Sequence, residues 1–286
     1  MPRTWIFIDV SNLAFRAFHT TGGLSYNGAP TGIIYGILRE IDSLQNLFDT
    51  SYFAFAFDSR MSLRKKQYPW YKASREKSDP EFQESRAQVG SEIDRLREEI
   101  LPALGYKNLF SQPGYEGDDI IASLCLNKDG GEEAVIVSSD ADLNQLLTPY
   151  VRQYRPVNKT TVTYESFKRN NFGLSPFQLV KMKAISGCIS DNVPGLEGVG
   201  EVYAGKYLAG LLKEGKVKSK IDLWVNSVQY TQNLRVCKVP YEGCKKFKAT
   251  PHPAITWEAR NQVNDMLGFA SFKSVPVKTP SLFKEN

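Results

Sequence analysis

Acidic side chains follow three short apolar runs of this sequence, and acids gathered at one place bind divalent cations. The runs TWIFIDV and SYFAFAF lead into Asp9 and Asp58. The run AVIVSS leads into Asp140, with Asp142 two residues further on. The carboxyl ends of parallel strands line one crevice of an open sheet, so we expect these carboxylates to meet there.

The segment YEGDD adds Glu116, Asp118 and Asp119 around the start of a predicted helix. Acids at a helix start also cap amide groups, which accounts for one or two of them. Two carboxylates about 5 Å apart repel by roughly 3 kcal/mol at an effective dielectric constant of about 20, so the full set requires bound cations. Oxygen ligands without clustered histidines favour Mg²⁺ or Mn²⁺ over zinc. Two such ions serve phosphoryl transfer, one helping to form the attacking hydroxide and the other stabilising the leaving oxygen.

Basic side chains are concentrated in the segment 60–77, which contains a single acidic residue, Glu76. Its basic residues are Arg60, Arg64, Lys65, Lys66, Lys72, Arg75 and Lys77. Tyr68, Trp70 and Tyr71 are interleaved with them. This pattern is typical of a surface that binds a polyanion. A solvated helix face would explain the charge equally well.

The composition indicates a folded intracellular protein. A chain of 286 residues with 42% hydrophobic content can bury a core, and the net charge of +5 is modest. Neither an apolar run of about 18 residues nor a signal peptide is apparent, so we expect a cytoplasmic monomer, bacterial or from a phage-infected cell, with no membrane partner. Four scattered cysteines and two histidines do not form a structural zinc pattern and are expected to be reduced.

Strands that alternate with helices must position the acids. Strands are predicted at 4–10, 51–57, 134–139, 150–154 and 160–164, and helices at 31–48, 91–105 and 118–128. This alternation predicts an α/β fold with a mostly parallel central sheet and flanking helices. Past about residue 175 the pattern is mostly helical. A loop is expected at 238–256, and a frayed basic tail from Ser271 onward.

Eight motifs in order resemble the 5′ nuclease or flap endonuclease family, in particular the 5′→3′ exonuclease domain of bacterial DNA polymerase I and its stand-alone phage relatives. They are IDVSNLAFRAFH, APTGIIYG, FAFDS, YKASR, YEGDD, SSDADLNQLL, SDNVPGLEGVG and LGFASF. The resemblance implies a PIN-like nuclease core at 1–175 with a basic arch at about 60–95. It also implies a helical DNA-binding region at 176–286.

Carried over to this sequence, the resemblance implies two metal sites. One would be formed by Asp9, Asp58, Glu116, Asp118 and Asp119, and the second formed or supported by Asp140, Asp142 and Asp191. Asp118 and Asp140 are the acids assigned to catalysis, together with Lys72 and Arg75 at the scissile or 5′-terminal phosphate. Arg64 and Tyr71 are expected to join Lys72 and Arg75 in contacting DNA.

The segment PGLEGVGEVYAGKYL resembles a helix-three-turn-helix motif, which we place at about 184–212. Gly195, Gly198 and Gly200 would let the backbone approach a DNA phosphate, with amides at a helix N-terminus as donors. The resemblance also implies a K⁺ ion on the carbonyls of this turn. A plain helical hairpin with a glycine-rich turn stays open as an alternative.

One departure from the family pattern is chemical, because Cys188 follows Gly187 where an aspartate is usual. A thiol is mostly neutral at pH 7 and is a poor ligand for Mg²⁺. We therefore predict weaker binding of the second ion and some preference for Mn²⁺.

The function expected is a stand-alone 5′ nuclease that hydrolyses DNA by two-metal-ion catalysis. It would act as a 5′→3′ exonuclease and a flap endonuclease on 5′ ends, flaps and nicked or branched duplexes, and on RNA in RNA·DNA hybrids. The alternative is a structure-specific DNA-binding protein of the same fold, with Cys188 as the first lesion of a lost activity. A haloacid-dehalogenase-type phosphatase would need an Asp at position 11, where Ser11 stands.

Overall fold

The computed structural model describes residues 2–76, 80–252 and 255–270. Its strands are β1 (Thr4–Asp9), β2 (Ser25–Tyr26), β3 (Ala29–Pro30), β4 (Tyr52–Ala56), β5 (Leu109–Phe110), β6 (Glu133–Val137), β7 (Val151–Arg155) and β8 (Thr160–Val162). A six-stranded sheet has the order β5-β4-β1-β6-β7-β8. Its pairs are parallel except for the antiparallel pair of β7 and β8, while β2 and β3 form a separate hairpin. The prediction of a mostly parallel central sheet is confirmed.

Twelve α-helices lie in the described residues: α1 (Val10–Thr21), α2 (Gly32–Phe48), α3 (Leu63–Gln67), α4 (Pro80–Arg95), α5 (Leu101–Ala103), α6 (Gly117–Asn127), α7 (Tyr164–Asn170), α8 (Leu179–Ser186), α9 (Glu201–Leu208), α10 (Lys216–Trp224), α11 (Val228–Cys237) and α12 (Trp257–Leu267). A π-helical turn, Leu96–Ile100, joins α4 to α5, and 3₁₀ helices occupy Ala73–Glu76, Ala141–Leu146 and Pro176–Gln178. Among these residues, no helix combines the length and apolarity needed to cross a membrane.

The sheet is buried on both faces, because β1 supplies apolar side chains in both directions. Ile6 and Ile8 enter a core with residues of α1 and α2, whereas Trp5 and Phe7 enter a second core with residues of α6. Side chains alternate between the faces of a strand, so a continuous apolar run such as TWIFI is the pattern of a strand covered on both sides.

The topology brings the predicted acids to one edge. Strands β4, β1 and β6 are adjacent and parallel, so their carboxyl ends meet. Asp9 is the last residue of β1, Asp58 lies two residues after β4, and Asp140 lies three residues after β6. The helix α6, which carries Asp118, also begins at this edge.

The second half of the chain forms a smaller core and then returns to the sheet. Met182, Ile185, Val199 and other residues of α8 to α10 make up a separate apolar cluster. After α11, Phe247 packs against the second core, and Leu267 lies within the first. The predicted division at residue 175 stays a prediction, and the residues after α11 pack on the sheet rather than with the helical cluster.

The structure also bears on the predicted loop and tail. The described residues of the segment 238–256 contain no helix or strand, as predicted. The tail predicted from Ser271 and the basic residue Lys77 lie outside the described residues.

Candidate active site

Asp9 stands at the centre of the acidic edge. Its carboxylate accepts hydrogen bonds from the Asn12 backbone N–H at 3.0 Å and the Ser138 hydroxyl at 2.7 Å. Burial, together with the negative charges of Asp58 and Asp140, raises the pKa of Asp9 to about 7, although these two hydrogen bonds lower it. A carboxylate with such a pKa lacks a compensating cation, which a divalent metal ion would supply.

Asp118 shares this environment. Its pKa lies well above the usual range because it is buried and because Asp140, Asp9 and Asp58 add negative charge, which Lys72 offsets only in part. The structure thus brings together four of the predicted ligands, Asp9, Asp58, Asp118 and Asp140. All donors are oxygens, and this chemistry fits a hard divalent cation.

Glu116, the fifth predicted ligand, is engaged by the basic segment. Its carboxylate accepts from the Lys72 ammonium at 2.8 Å and from the Tyr71 hydroxyl at 3.0 Å. Burial alone would raise the pKa of Glu116, but the charges of Lys72 and Arg64 outweigh it and lower this pKa. Burial would lower the pKa of Lys72, yet Glu116 and Asp191 raise it overall, so Lys72 remains a cation.

Tyr71, which the sequence predicts to contact DNA, points into the protein. Its side chain is buried with Tyr68, Val193 and Val236 in an apolar cluster. Its hydroxyl is directed at Glu116 rather than at an open surface. The direct DNA contact predicted for Tyr71 stays a prediction, which the burial of its ring does not favour.

Two further predicted site residues, Arg64 and Asp119, form a buried ion pair. The Arg64 guanidinium donates to both oxygens of Asp119, at 2.7 and 2.6 Å. Asp119 also accepts from the backbone N–H of Glu116 at 3.0 Å and of Tyr241 at 2.7 Å, and both side chains are almost fully buried. Both oxygens of Asp119 and the guanidinium of Arg64 are thus engaged within the protein. The predicted roles of Asp119 at a metal and of Arg64 at DNA stay predictions, which this pairing does not favour.

A second group of possible ligands lies beside the first. Ligand atoms of Asp142, Cys188 and Asp191 all lie within 4.8 Å of one another. The Asp142 backbone N–H donates to Asp140 Oδ1 at 2.8 Å, so the two groups are directly connected. Asp140, predicted for the second site, thus bridges it to the first.

Cations of the protein already contact this second group. Lys183 Nζ contacts Asp142 Oδ1, and Arg75 donates to Asp191 Oδ1 at 2.9 Å. Sequence reasoning missed Lys183, although it lies on the helix that leads into Cys188, one turn before Gly187. It also missed Asn192, whose Oδ1 accepts from the Ser74 N–H and hydroxyl and ties the loop to the arch segment.

Comparison with known proteins identifies the family of this chain. Residues 4–173 match the family model described as the 5′-3′ exonuclease, N-terminal resolvase-like domain. The chain belongs to this 5′-3′ exonuclease family. The family resemblance of the sequence is thereby confirmed.

Curated relatives of this chain include DNA polymerase I of Mycobacterium tuberculosis. It is 33% identical over 227 residues, which cover 77% of this chain and 24% of the relative. The thermostable DNA polymerase I of Thermus caldophilus is 33% identical over 208 residues, covering 71% of this chain and 23% of the relative. The chain thus spans about a quarter of the length of these curated relatives.

Solved structures share the fold of this exonuclease-family chain. The bacteriophage T5 5′-exonuclease with divalent zinc ions bound has a TM-score of 0.67 at 20% identity, covering 83% of this chain and 90% of that one. The catalytic core of Rad2 in complex with DNA substrate has a TM-score of 0.61 at 15% identity, covering 96% and 91%.

The glycine-rich turn lies beyond the matched range of the exonuclease-family model. It connects α8 to α9, and a Cβ on Gly195 would lie 2.0 Å from the Ser186 carbonyl oxygen. Gly195 is therefore required for a close approach within the protein, whereas its role at a DNA phosphate stays a prediction. Gly198, with φ of +76°, and Gly200 are exposed, and nothing would contact a Cβ on either one.

Proposed function

We propose that this chain is a divalent-metal-dependent 5′ nuclease that hydrolyses DNA phosphodiesters at 5′ ends and flaps. The observation that carries the proposal is the convergence of Asp9, Asp58, Asp118 and Asp140 at one edge of the sheet, with Lys72 beside them. Family membership supports the 5′→3′ exonuclease chemistry, and the Rad2 neighbour is a complex with DNA substrate.

The four converging carboxylates would hold the first cation, and Asp142, Cys188 and Asp191 the second. Raised pKa values at Asp9 and Asp118 support this assignment, since unpaired buried carboxylates favour a bound cation. When bound, Mg²⁺ or Mn²⁺ would neutralise the phosphodiester and promote ionisation of the attacking water.

The basic side chains would orient the substrate. Lys72 and Arg75 approach the acidic groups from the arch side, where each already contacts a carboxylate. A phosphate oxygen that replaced those carboxylates as the partner of Lys72 and Arg75 would accept hydrogen bonds from both side chains. Positive charge fixed there stabilises the charge that builds on the phosphate in the transition state.

The exposed turn before α9 would hold the duplex away from the reaction centre. Gly198 and Gly200 leave the backbone open, and the first amides of α9 point away from the helix body as donors for a phosphate. We include in the proposal a helix-three-turn-helix contact, a K⁺ ion on this turn, and cleavage of RNA in RNA·DNA hybrids.

The test is cleavage of a labelled 5′-flap duplex in Mg²⁺ by Asp118→Asn and Asp140→Asn. Each is expected to lower the rate at least about 100-fold, because a catalytic metal loses a ligand. The exposed Asp129→Asn, whose side chain pairs with Lys248, is the matched control and should cleave normally. Equal cleavage by all variants would contradict the proposal, and flap binding without cleavage in Mg²⁺ or Mn²⁺ would identify a DNA-binding protein of this fold.

A further inference from the structure

A thiol stands among the carboxylates of the second group, and it changes which cation that group would select. Building on the proposed function, we propose that Asp142, Cys188 and Asp191 form a mixed sulfur and oxygen site. This site would bind a thiophilic divalent cation such as Zn²⁺ or Co²⁺ in strong preference to Mg²⁺.

The spacing of the three side chains suits one ion. Their ligand atoms lie within 4.8 Å of one another. In a tetrahedral zinc ion, bonds of about 2.3 Å to sulfur and about 2.1 Å to oxygen place the ligand atoms roughly 3.5 Å apart. Side-chain movements of about 1 Å would therefore bring all three onto one ion. Three protein ligands leave the fourth position of a tetrahedral ion open to water or a phosphate oxygen.

The backbone holds two of the ligands in a fixed relation. The Cys188 N–H donates to the Val193 carbonyl at 2.9 Å, and the Val193 N–H donates back to the Cys188 carbonyl at the same distance. Asp191 lies within the loop that this pair closes, and its own carbonyl accepts from the Lys72 N–H at 2.9 Å. The sulfur and the carboxylate therefore approach an ion from a preformed loop.

Competition by the protein's own cations favours the sulfur. Asp142 contacts Lys183 and Asp191 pairs with Arg75, so any ion competes with an ammonium and a guanidinium for the two carboxylates, and an ion that binds oxygen alone gains nothing to offset this competition. The sulfur of Cys188 makes only a 3.2 Å contact with the Ser190 hydroxyl among the hydrogen bonds described here. Sulfur bonds strongly to Zn²⁺ and Co²⁺ and weakly to Mg²⁺, so this ligand discriminates between the ions.

Binding converts the thiol to a thiolate. The sulfur–hydrogen bond breaks, a sulfur–metal bond forms, and one proton passes to the solvent for each ion bound. No oxidant or reductant takes part.

The experiment titrates Co²⁺ into the reduced, metal-free full chain and follows the near-ultraviolet absorption of thiolate-to-cobalt charge transfer. The wild type should develop this band with one equivalent of Co²⁺ and release a proton. Cys244→Ser, the matched control at a half-buried cysteine outside the group, should do the same. Cys188→Ser and Cys188→Asp should lose the band while retaining the thermal transition of the wild type.

Displacement of bound Co²⁺ by Zn²⁺ or by Mg²⁺ measures the selectivity of the site between these ions. Zn²⁺ should abolish the band at a concentration at least about 100-fold below the Mg²⁺ concentration required. Absence of the band in the wild type, its persistence in Cys188→Ser, or equal displacement by the two ions would overturn the inference. The readout needs no cleavage, so it is independent of the nuclease proposal, and Asp118→Asn should retain the band even though we expect it to be inactive.

Discussion

Adjacent acids can have opposite roles, and Asp118 and Asp119 illustrate this at the scale of the residue. The carboxylate of Asp118 faces other carboxylates, which raise its pKa together with burial. The carboxylate of Asp119 is fully buried against the guanidinium of Arg64. Removing one partner of such a buried pair costs about 3–5 kcal/mol, which makes Arg64 and Asp119 structural residues.

At the same scale, Asp9 should make the metal-free protein less stable as pH rises. The folded state retains a proton up to about pH 7, which the unfolded chain releases near pH 4. Across this window the folded state binds more protons, so the free energy of unfolding falls with rising pH, by about 2–4 kcal/mol from this group. In Asp9→Asn this contribution should disappear.

Urea unfolding at pH 5 and pH 8 in EDTA checks this expectation, with Asp129→Asn as the control. Added Mg²⁺ should restore stability to the wild type at pH 8 and have much less effect on Asp9→Asn. Identical pH dependence of wild type and Asp9→Asn would contradict the expected role of burial.

At the scale of the element, the segment between α8 and α9 has an inner and an outer half. The inner half packs at Gly195 against the end of α8, and the Leu196 N–H donates to the Ile185 carbonyl at 2.8 Å. The outer half, with Gly198 and Gly200, is open to solvent. Gly195 is therefore required by close packing, whereas Gly198 and Gly200 have open space around them, although the three look equivalent in the sequence.

This difference predicts unequal costs of alanine substitution. Gly195→Ala should lower the free energy of unfolding by more than about 2 kcal/mol, since its Cβ would overlap the backbone at Ser186. Gly200→Ala should change it by less than about 1 kcal/mol, because φ is −87° and the space is open. Urea unfolding measures both variants, and equal stability of the two would show that the turn packs differently.

At the scale of the whole molecule, the chain returns from the helical part to the sheet. The ring of Phe247 packs in a tilted arrangement against that of Phe110, with ring centroids 5.5 Å apart, and Arg260 of α12 pairs with Asp42 of α2. Leu267, at 1% exposure, closes the first core. The residues after α11 thus link the helical part to the sheet domain, and we expect cooperative unfolding.

Leu267→Ala should therefore destabilise the sheet domain as well as α12. We expect a loss of about 2–5 kcal/mol, as for other buried leucines, with coincident transitions in circular dichroism and tryptophan fluorescence. Leu211→Ala, at a side chain 60% exposed, is the matched control and should be near neutral. A variant that loses α12 early while the main transition stays in place would contradict this coupling.

Much of the sheet and the acidic edge could be predicted from the sequence, because the relevant signals are local. A continuous apolar run marks a strand buried on both faces, and Asp9, Asp58 and Asp140 follow such runs directly. Parallel order then places their carboxylates at one edge whatever the details of packing. The motif order likewise indicated the exonuclease family.

Only the tertiary structure decided which groups pair across long stretches of chain. Arg64 and Asp119 are 55 positions apart, and Arg260 and Asp42 are 218 apart. Such contacts depend on how helices and loops pack, and no periodicity within either segment encodes them. For the same reason the sequence left Lys183 unnoticed and treated Gly195 as a ligand-facing residue, whereas packing placed one against Asp142 and the other against Ser186.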